Sequence, residues 1–464
     1  MRNTVHPARS RFYGMLSLLL LLVMARYGLQ LGVPRAVFIP VIVLTAMMGD
    51  ASEIIAVCLC CIPLHEAVDF FYSLVLSICV YLIKEYRSIR IHVGVFAVLA
   101  MVLWELFHCL GQSFSIMAFI TNVAPLLILV IVMSTDVRKL DYPFIVRAYA
   151  LATAGLCLTL LVRVLYRSGF NLLLALSGLQ RLGVEDPNSA VSATAAGGVV
   201  NPNTLGIICV LAVTGLLQLR TSGSGRTSDM LMACMIMVFG ALTSSRTYLV
   251  CLALMFVLLL LSQKGSIGAK LRFLAIVLVL LALALTVLYL CFPDLMEYYI
   301  SRFDTRDITT GRDQLMTLYH DFIISNPRVL LFGVGLQDLS VKLTEVYRVA
   351  FNVPHNSIQE LVAAWGLPGL ILFSAMLGTM IPVSRQFCRR QGLLNYIPLL
   401  IILAKSMAGQ LLNSPYSMLT LSYAYLSMSS ELLLPEDNRL SPKPKKIQKG
   451  SGVNINQIRR KPSK

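Results

Sequence analysis

The sequence predicts an all-α protein: a polytopic transmembrane helical bundle of about 12–14 spans with one large outward-facing loop. Three observations predict it. Of the 464 residues, 57% are hydrophobic and only 13% are charged. The mean hydropathy is +0.76, well beyond what a soluble chain of this length carries. Apolar runs long enough to cross ~30 Å of hydrocarbon as helices recur from Phe12 to Leu434, separated by short polar hinges.

Taken in order, the first run, around Met15 to Met24, follows Arg2, Arg9 and Arg11 and so resembles a signal peptide. No small-residue cleavage site is evident, and the run is expected to be the first permanent span. Between Pro34 and Pro63 the apolar run is interrupted by Asp50 and Glu53, which leaves the span count open there. Ten of the eleven cysteines sit inside apolar runs, where a thiol acts as a small hydrophobe. Cys388 lies in a basic loop, so no disulfide framework is implied.

The formal charge of +16 invites a nucleic-acid reading until its location is considered. The tail after Asp437 holds nine Lys and Arg and no acid, which is more than half of the excess. A basic segment beside a final span belongs at the cytoplasmic surface, in contact with anionic lipid. Residues 1–437 therefore read as one multi-spanning membrane domain, and 438–464 as a basic cytoplasmic tail with no nucleic-acid partner.

Lys and Arg in the short loops set the orientation. Lys84 to Arg90, Arg138 to Lys139, Arg220 to Arg226, Lys264 to Arg272 and Arg385 to Arg390 belong inside, together with both termini. Two long segments are then left outside, 166–202 and 293–355. Long connections in a compact chain are usually functional, and the second mixes acids with Arg302, Arg306, Arg312, Arg328 and Arg348. Within it, Thr309-Thr310 before Gly311-Arg312-Asp313-Gln314-Leu315-Met316-Thr317-Leu318-Tyr319 reads as a capped helix on the membrane surface, with Arg312 in its first turn. A cation there is unfavourable unless it converges with free backbone N–H groups on an anion.

Three residues stand out on the outer side: Arg246 in Thr243-Ser244-Ser245-Arg246-Thr247-Tyr248, Arg312, and His355 in Pro354-His355-Asn356-Ser357. Each has a plainer role available. Arg246, in a tight hairpin, can snorkel to the headgroups, and a histidine at a loop-to-span boundary can cap or pack. As a set they carry more meaning: arginine pairs bidentately with phosphate oxygens, and an imidazole of pKa near ~6.5 can take a proton from a sugar hydroxyl. Gly333-Val334-Gly335 has the glycines of a phosphate-cradling loop, but with only two of them and no P-loop lysine it reads as a turn with a structural role. Asn201-Pro202-Asn203 is a helix-start signal whose amides can also meet a sugar. Arg26, Glu105, Arg163 and Lys405 are costly in lipid and should face the bundle interior. No His, Asp or Glu cluster has metal-ligand spacing, so the expected chemistry uses neither metal nor cofactor.

Over roughly Asn201 to Leu434 the sequence resembles the O-antigen ligase and O-antigen polymerase superfamily of bacterial membrane glycosyltransferases. His355-Asn356 is followed by nine residues, Gly366, two residues and Gly369, which is the spacing of the ligase pattern. Ser245-Arg246-Thr247 resembles the family's Ser-Arg hairpin, Gly311-Arg312 its loop arginine, and Phe332-Gly333-Val334-Gly335 its short glycine motif. The resemblance implies a bundle of the GT-C type in the bacterial cytoplasmic membrane, with an undecaprenyl-diphosphate-linked oligosaccharide bound on the outer face and its sugar passed to an acceptor hydroxyl with inversion. It implies that Arg246 and Arg312 neutralise the diphosphate and that His355 deprotonates the acceptor. Asn356 and Tyr319 are supporting contacts on this reading, with Arg302 and Asn203 as further substrate-binding candidates. Polymerisation of capsule, exopolysaccharide or O-antigen repeats is the leading expectation, and ligation to a lipid, cell-wall or protein acceptor is the alternative. A flippase for the same lipid-linked glycan is the rival from a different class, although no internal repeat supports it. Membrane lipid and other polysaccharide-assembly proteins, such as a flippase or chain-length regulator, are the expected partners.

Overall fold

The computed structural model describes residues 7–65, 67–68, 70–91, 93–110, 115–136, 139–171, 182, 200–262, 312–347, 356–388, 393–407, 409, 411–412 and 415–430, with scattered positions between 268 and 301. The described residues form an all-α membrane protein, as the hydropathy predicts. Among the described residues, five helices are long and apolar enough to cross a bilayer: Arg9–Gly28, Val93–Leu110, Tyr142–Arg167, Pro202–Thr221 and Ser357–Ile381. Six shorter apolar helices stand among them.

In chain order the bundle comprises α1 (Pro7–Val23), α2 (Phe38–Met48), α3 (Ala51–Leu64), α4 (Phe70–Glu85), α5 (Val93–Leu110), α6 (Ile116–Ser134), α7 (Tyr142–Arg167), α8 (Pro202–Thr221), α9 (Thr227–Leu242) and α10 (Arg246–Ser262). Three helices, α11 (Arg312–Ser325), α12 (Pro327–Phe332) and α13 (Leu336–Tyr347), lie within the long second segment. The chain returns through α14 (Ser357–Cys388), α15 (Ile397–Ser406) and α16 (Pro415–Ser429). The centre is α8, 89% of whose apolar window is buried, against 28% for Arg9–Gly28 at the periphery. Every residue of α3 after Ala51 is buried as well.

The interruption at Asp50 and Glu53 is a tight turn between two short helices. Asp50 caps α3 by accepting from the Glu53 N–H at 2.9 Å, and Glu53 returns the bond to the Asp50 N–H at 3.0 Å. This reciprocal capping box satisfies two helix-end donors within the bundle. At ~1.5 Å per residue, neither α2, with 11 residues, nor α3, with 14, covers the hydrocarbon as one regular helix.

Most of the basic loops assigned to the inner side gather at one end. Lys84 donates to the carbonyls of Met47 at 3.0 Å and of Gly49. Arg9 pairs with Asp141, whose backbone N–H is bound by Ser52 Oγ at 3.0 Å. The Arg90 N–H bonds the Ser134 carbonyl at 2.8 Å. Buried Asp229 receives Arg147 at 3.0 Å, which secures the 220–229 loop.

The intramembrane charges face protein, as expected from their cost in lipid. Arg26 donates to the Val33 carbonyl, Arg163 to that of Tyr27 at 3.4 Å, and Lys405 to Ser417 Oγ at 2.9 Å. Glu105 is wholly buried.

The backbone bonds of the glycine motif agree with its reading as a structural turn. The Gly333 N–H bonds the Val329 carbonyl at 2.8 Å, that of Val334 bonds Ala363 at 3.0 Å, and that of Gly335 bonds Ala364 at 2.7 Å. The turn's donors are thus spent on α12 and α14, and Gly333-Val334-Gly335 is structural and not a phosphate cradle. The buried carbonyls it engages lie just before the break in α14 at Gly366, where φ is 66° and ψ is −165°. A Cβ at Gly333, itself at φ 79°, would fall 2.2 Å from the Ala364 oxygen, so the close approach requires glycine.

Candidate functional site

At the end of the bundle opposite the basic loops, the polar residues converge. Asn201 caps α8, its Oδ1 accepting from the Asn203 N–H at 2.9 Å, with Pro202 at the first helical position. Asn203 Oδ1 in turn accepts from Ser245 Oγ at 2.8 Å, and Ser245 Oγ accepts from the Tyr248 N–H at 3.3 Å. The α8 start and the Ser-Arg hairpin, separate in sequence, are therefore one polar unit.

The hairpin is covered by protein. Thr243, Ser244, Ser245 and Tyr248 are all buried, and Ser244 adopts φ 48° to make the turn. Arg246 is the first residue of α10 and is half-buried. Ser245→Ala removes both the cap and the link to Asn203; it should cost about 0.5–2 kcal/mol, read as a lower unfolding temperature of the detergent-solubilised chain.

Next to this unit, Thr204 Oγ1 and Tyr416 OH share a hydrogen bond of 2.7 Å. His65 stacks on the Tyr416 ring at 4.5 Å, and Lys405 Nζ lies 5.6 Å from the ring centroid. The start of α14 joins through Ser357 Oγ, which donates to the Gly409 carbonyl at 3.0 Å, four residues beyond Lys405. Buried Glu360 accepts from the backbone N–H groups of Leu411 at 2.7 Å and Leu412 at 2.9 Å, which pins the same 409–412 segment.

Asn356 caps α14: its Oδ1 accepts from the N–H of Ile358 at 2.9 Å and of Gln359 at 3.4 Å. The cap uses the oxygen of that amide and not its nitrogen. Gln359 Nε2 donates to the Met316 carbonyl at 2.9 Å, tying α11 of the long second segment onto the entrance of α14. Gln359 Oε1 is buried and has no donor among the described residues.

Tyr319 is buried in α11 beside this junction. Burial first, and then the charge of Glu360, push its phenol pKa up. At neutral pH it is therefore a hydrogen-bond donor and not a phenolate. Arg312 opens the same helix, with Asp313 following in the first turn. Arg302 and His355 lie outside the described residues; the chain enters α14 two residues after His355.

The structure thus gathers Asn203, Arg246, Asn356 and Tyr319 at one end, and brings the helix that Arg312 begins to the same place. Sequence reasoning missed His65, Tyr416, Ser417 and Glu360. They belong to no motif, standing in short polar stretches beside Glu66, Gln359 and Asn413-Ser414, and the signal that could have found them was the cost of burying a polar group without a partner. Among the described residues no three His, Cys, Asp or Glu groups are placed to hold a metal ion. Chemically, cationic, hydroxyl and amide groups at one end of an apolar bundle suit an amphiphile with an anionic and polyhydroxylated head.

Residues 230–374 match the model of a family described as O-antigen ligase. That interval contains the Ser245-Arg246 hairpin, Gly311-Arg312, the glycine turn and the run from His355-Asn356 to Gly369, and it bears out the resemblance those motifs carry. No curated protein matches the chain.

Proposed function

We propose that this O-antigen ligase/polymerase-type membrane protein transfers a glycan from a polyprenyl diphosphate to an acceptor hydroxyl, most simply by polymerising repeat units on the outer face of the bacterial cytoplasmic membrane. The observation that carries this reading is the joining of Asn203, the Arg246 hairpin and the Lys405–Tyr416 pair to the α14 entrance that follows His355. Arg246 and Arg312 bind the diphosphate. His355 accepts the acceptor's hydroxyl proton while that oxygen bonds to the anomeric carbon from the face opposite the leaving group. The bond from that carbon to the phosphate oxygen breaks, and its electron pair leaves on the lipid diphosphate, so configuration inverts. No metal is needed in this scheme, because the arginines supply the positive charge. The gathering of basic loops at the other end supports an inward-facing N-terminus and tail.

Ligation is the second reading, favoured by the description of the matched family, and differs only in its acceptor. The purified chain, reconstituted with an undecaprenyl-diphosphate oligosaccharide as sole substrate, should yield a product ladder on a gel. A single defined addition seen only after a second acceptor is supplied means ligation. No product with any acceptor removes the transfer reading and favours transport.

Arg312→Lys keeps the charge but loses the planar fork. Losing one charge-assisted hydrogen bond worth about 1.5–3 kcal/mol should lower product formation roughly 10- to 100-fold. Near-normal turnover would show that a point charge suffices at 312.

A further inference from the structure

The external segment is fastened to the membrane helices by a carboxylate with no part in the chemistry above. Glu105, near the end of α5, is fully buried. Its Oε2 accepts from the Trp365 indole N–H at 2.6 Å and from the Leu336 backbone N–H at 3.3 Å. Its Oε1 accepts from Asn122 Nδ2 at 3.2 Å and faces Cys109 Sγ at 3.9 Å. Leu336 begins α13, Trp365 sits at the break in α14, and Asn122 belongs to α6, so one side chain joins four elements.

Every neighbour of that carboxylate is a donor, and two of them, the indole and the backbone N–H, are donors that cannot reverse. A carboxylate accepts on both oxygens, whereas glutamine would keep one oxygen for the indole and backbone N–H groups and require Asn122 to turn its own amide oxygen toward the new N–H. An apolar residue would leave the indole and backbone N–H groups buried and unpaired, which is the expensive outcome. A buried acid is costly to keep, and here it spends its bonds on the junction between α14 and the external segment. Trp104 strengthens the same point, its indole N–H donating to the Trp365 carbonyl at 2.9 Å. His108, on the same helix, packs under Gly335.

We propose that Glu105 is a positioning residue for glycan transfer: by tying Leu336 to Trp365, it holds the helix that Arg312 begins in register with the entrance of α14. The inference rests on the transfer reading above. α11 leads through α12 to the glycine turn and Leu336, while Trp365 lies nine residues beyond Asn356 on α14. Releasing the tether frees the two carriers of the site to move relative to each other.

Both tryptophans of the chain lie in this junction, so intrinsic fluorescence reads it directly. In the full-length chain with Trp104→Phe, Trp365 is the sole tryptophan, and Glu105→Ala in that background should shift its emission to the red and raise quenching by acrylamide. In the native background, Glu105→Ala should lower kcat roughly tenfold to a hundredfold, the cost of misplacing reacting groups by about an ångström. KM for the lipid-linked donor should change little, and Glu105→Asp should recover part of the rate. Trp365→Phe, which leaves the carboxylate but removes its strongest donor, should lose kcat in the same way if Glu105→Ala proves too unstable to purify. Native kcat and unshifted emission in Glu105→Ala would overturn the proposal. So would a variant whose folded fraction turns over at the native rate, since Glu105 would then serve stability alone. If the unmodified chain transfers no glycan, the transfer reading fails instead. The tether is then judged by the emission shift and by faster proteolysis within 312–347, and native values of both would sink it too.

Discussion

Alanine at His355 should leave the chain inserted and monodisperse in detergent while lowering product formation roughly 10²- to 10⁴-fold, the usual worth of a positioned proton acceptor. The expectation follows from the division of labour proposed above. The arginines can still hold the diphosphate, so donor binding should persist, and the loss should fall on turnover. The assay is the ladder from reconstituted protein, normalised to the quantity of inserted chain. A fully active variant would remove His355 from the mechanism and leave the acceptor's proton without an assigned destination. A variant that fails to insert would place His355 in the fold and not in the chemistry.

Gly366→Ala should instead act on the fold. Gly366 has φ 66° and ψ −165°, a region essentially reserved for glycine that costs about 1–3 kcal/mol for any other residue. An added Cβ would lie 2.6 Å from the Phe332 nitrogen and 2.7 Å from the Leu331 carbonyl carbon and oxygen. These are backbone atoms, so the clash cannot be relieved by a side chain turning away. The variant should unfold at a distinctly lower temperature and expose the junction between the glycine turn and α14. Gly378→Ala is the matched control on the same helix: its Cβ would meet nothing within 4 Å, and the better helix propensity of alanine should leave stability unchanged or slightly raised. Equal melting of the two variants would mean that the break at Gly366 contributes nothing to stability.

These two residues belong to one sequence pattern, yet they differ in how much of their role was legible. Gly366 and Gly369 were recognisable by their spacing from His355-Asn356, and the spacing says nothing of why glycine is needed. The reason is a contact across the fold: the helix breaks beside the buried carbonyls of Ala363 and Ala364, and the 333–335 turn donates to them. The same contact agrees with the structural reading of Gly333-Val334-Gly335, because backbone donors committed to carbonyls cannot cradle a phosphate.

By itself the sequence determined the solvent of this protein and the order of its helices, because apolar run length and the placement of Lys and Arg act on each segment independently of its neighbours. It also marked Arg246, Arg312 and His355 as a set, since their chemistry is intrinsic to the side chains. The partners of the buried polar residues were decided only by tertiary structure. Glu105 and Lys405 read alike along the chain, as single charges in apolar runs. Folding gives the first a tryptophan and a backbone amide from more than two hundred residues away, and the second a serine and a tyrosine ring beside the candidate site. A buried polar group must find a complementary partner, and in a helical bundle the partner is chosen by which helices touch, which no local pattern encodes.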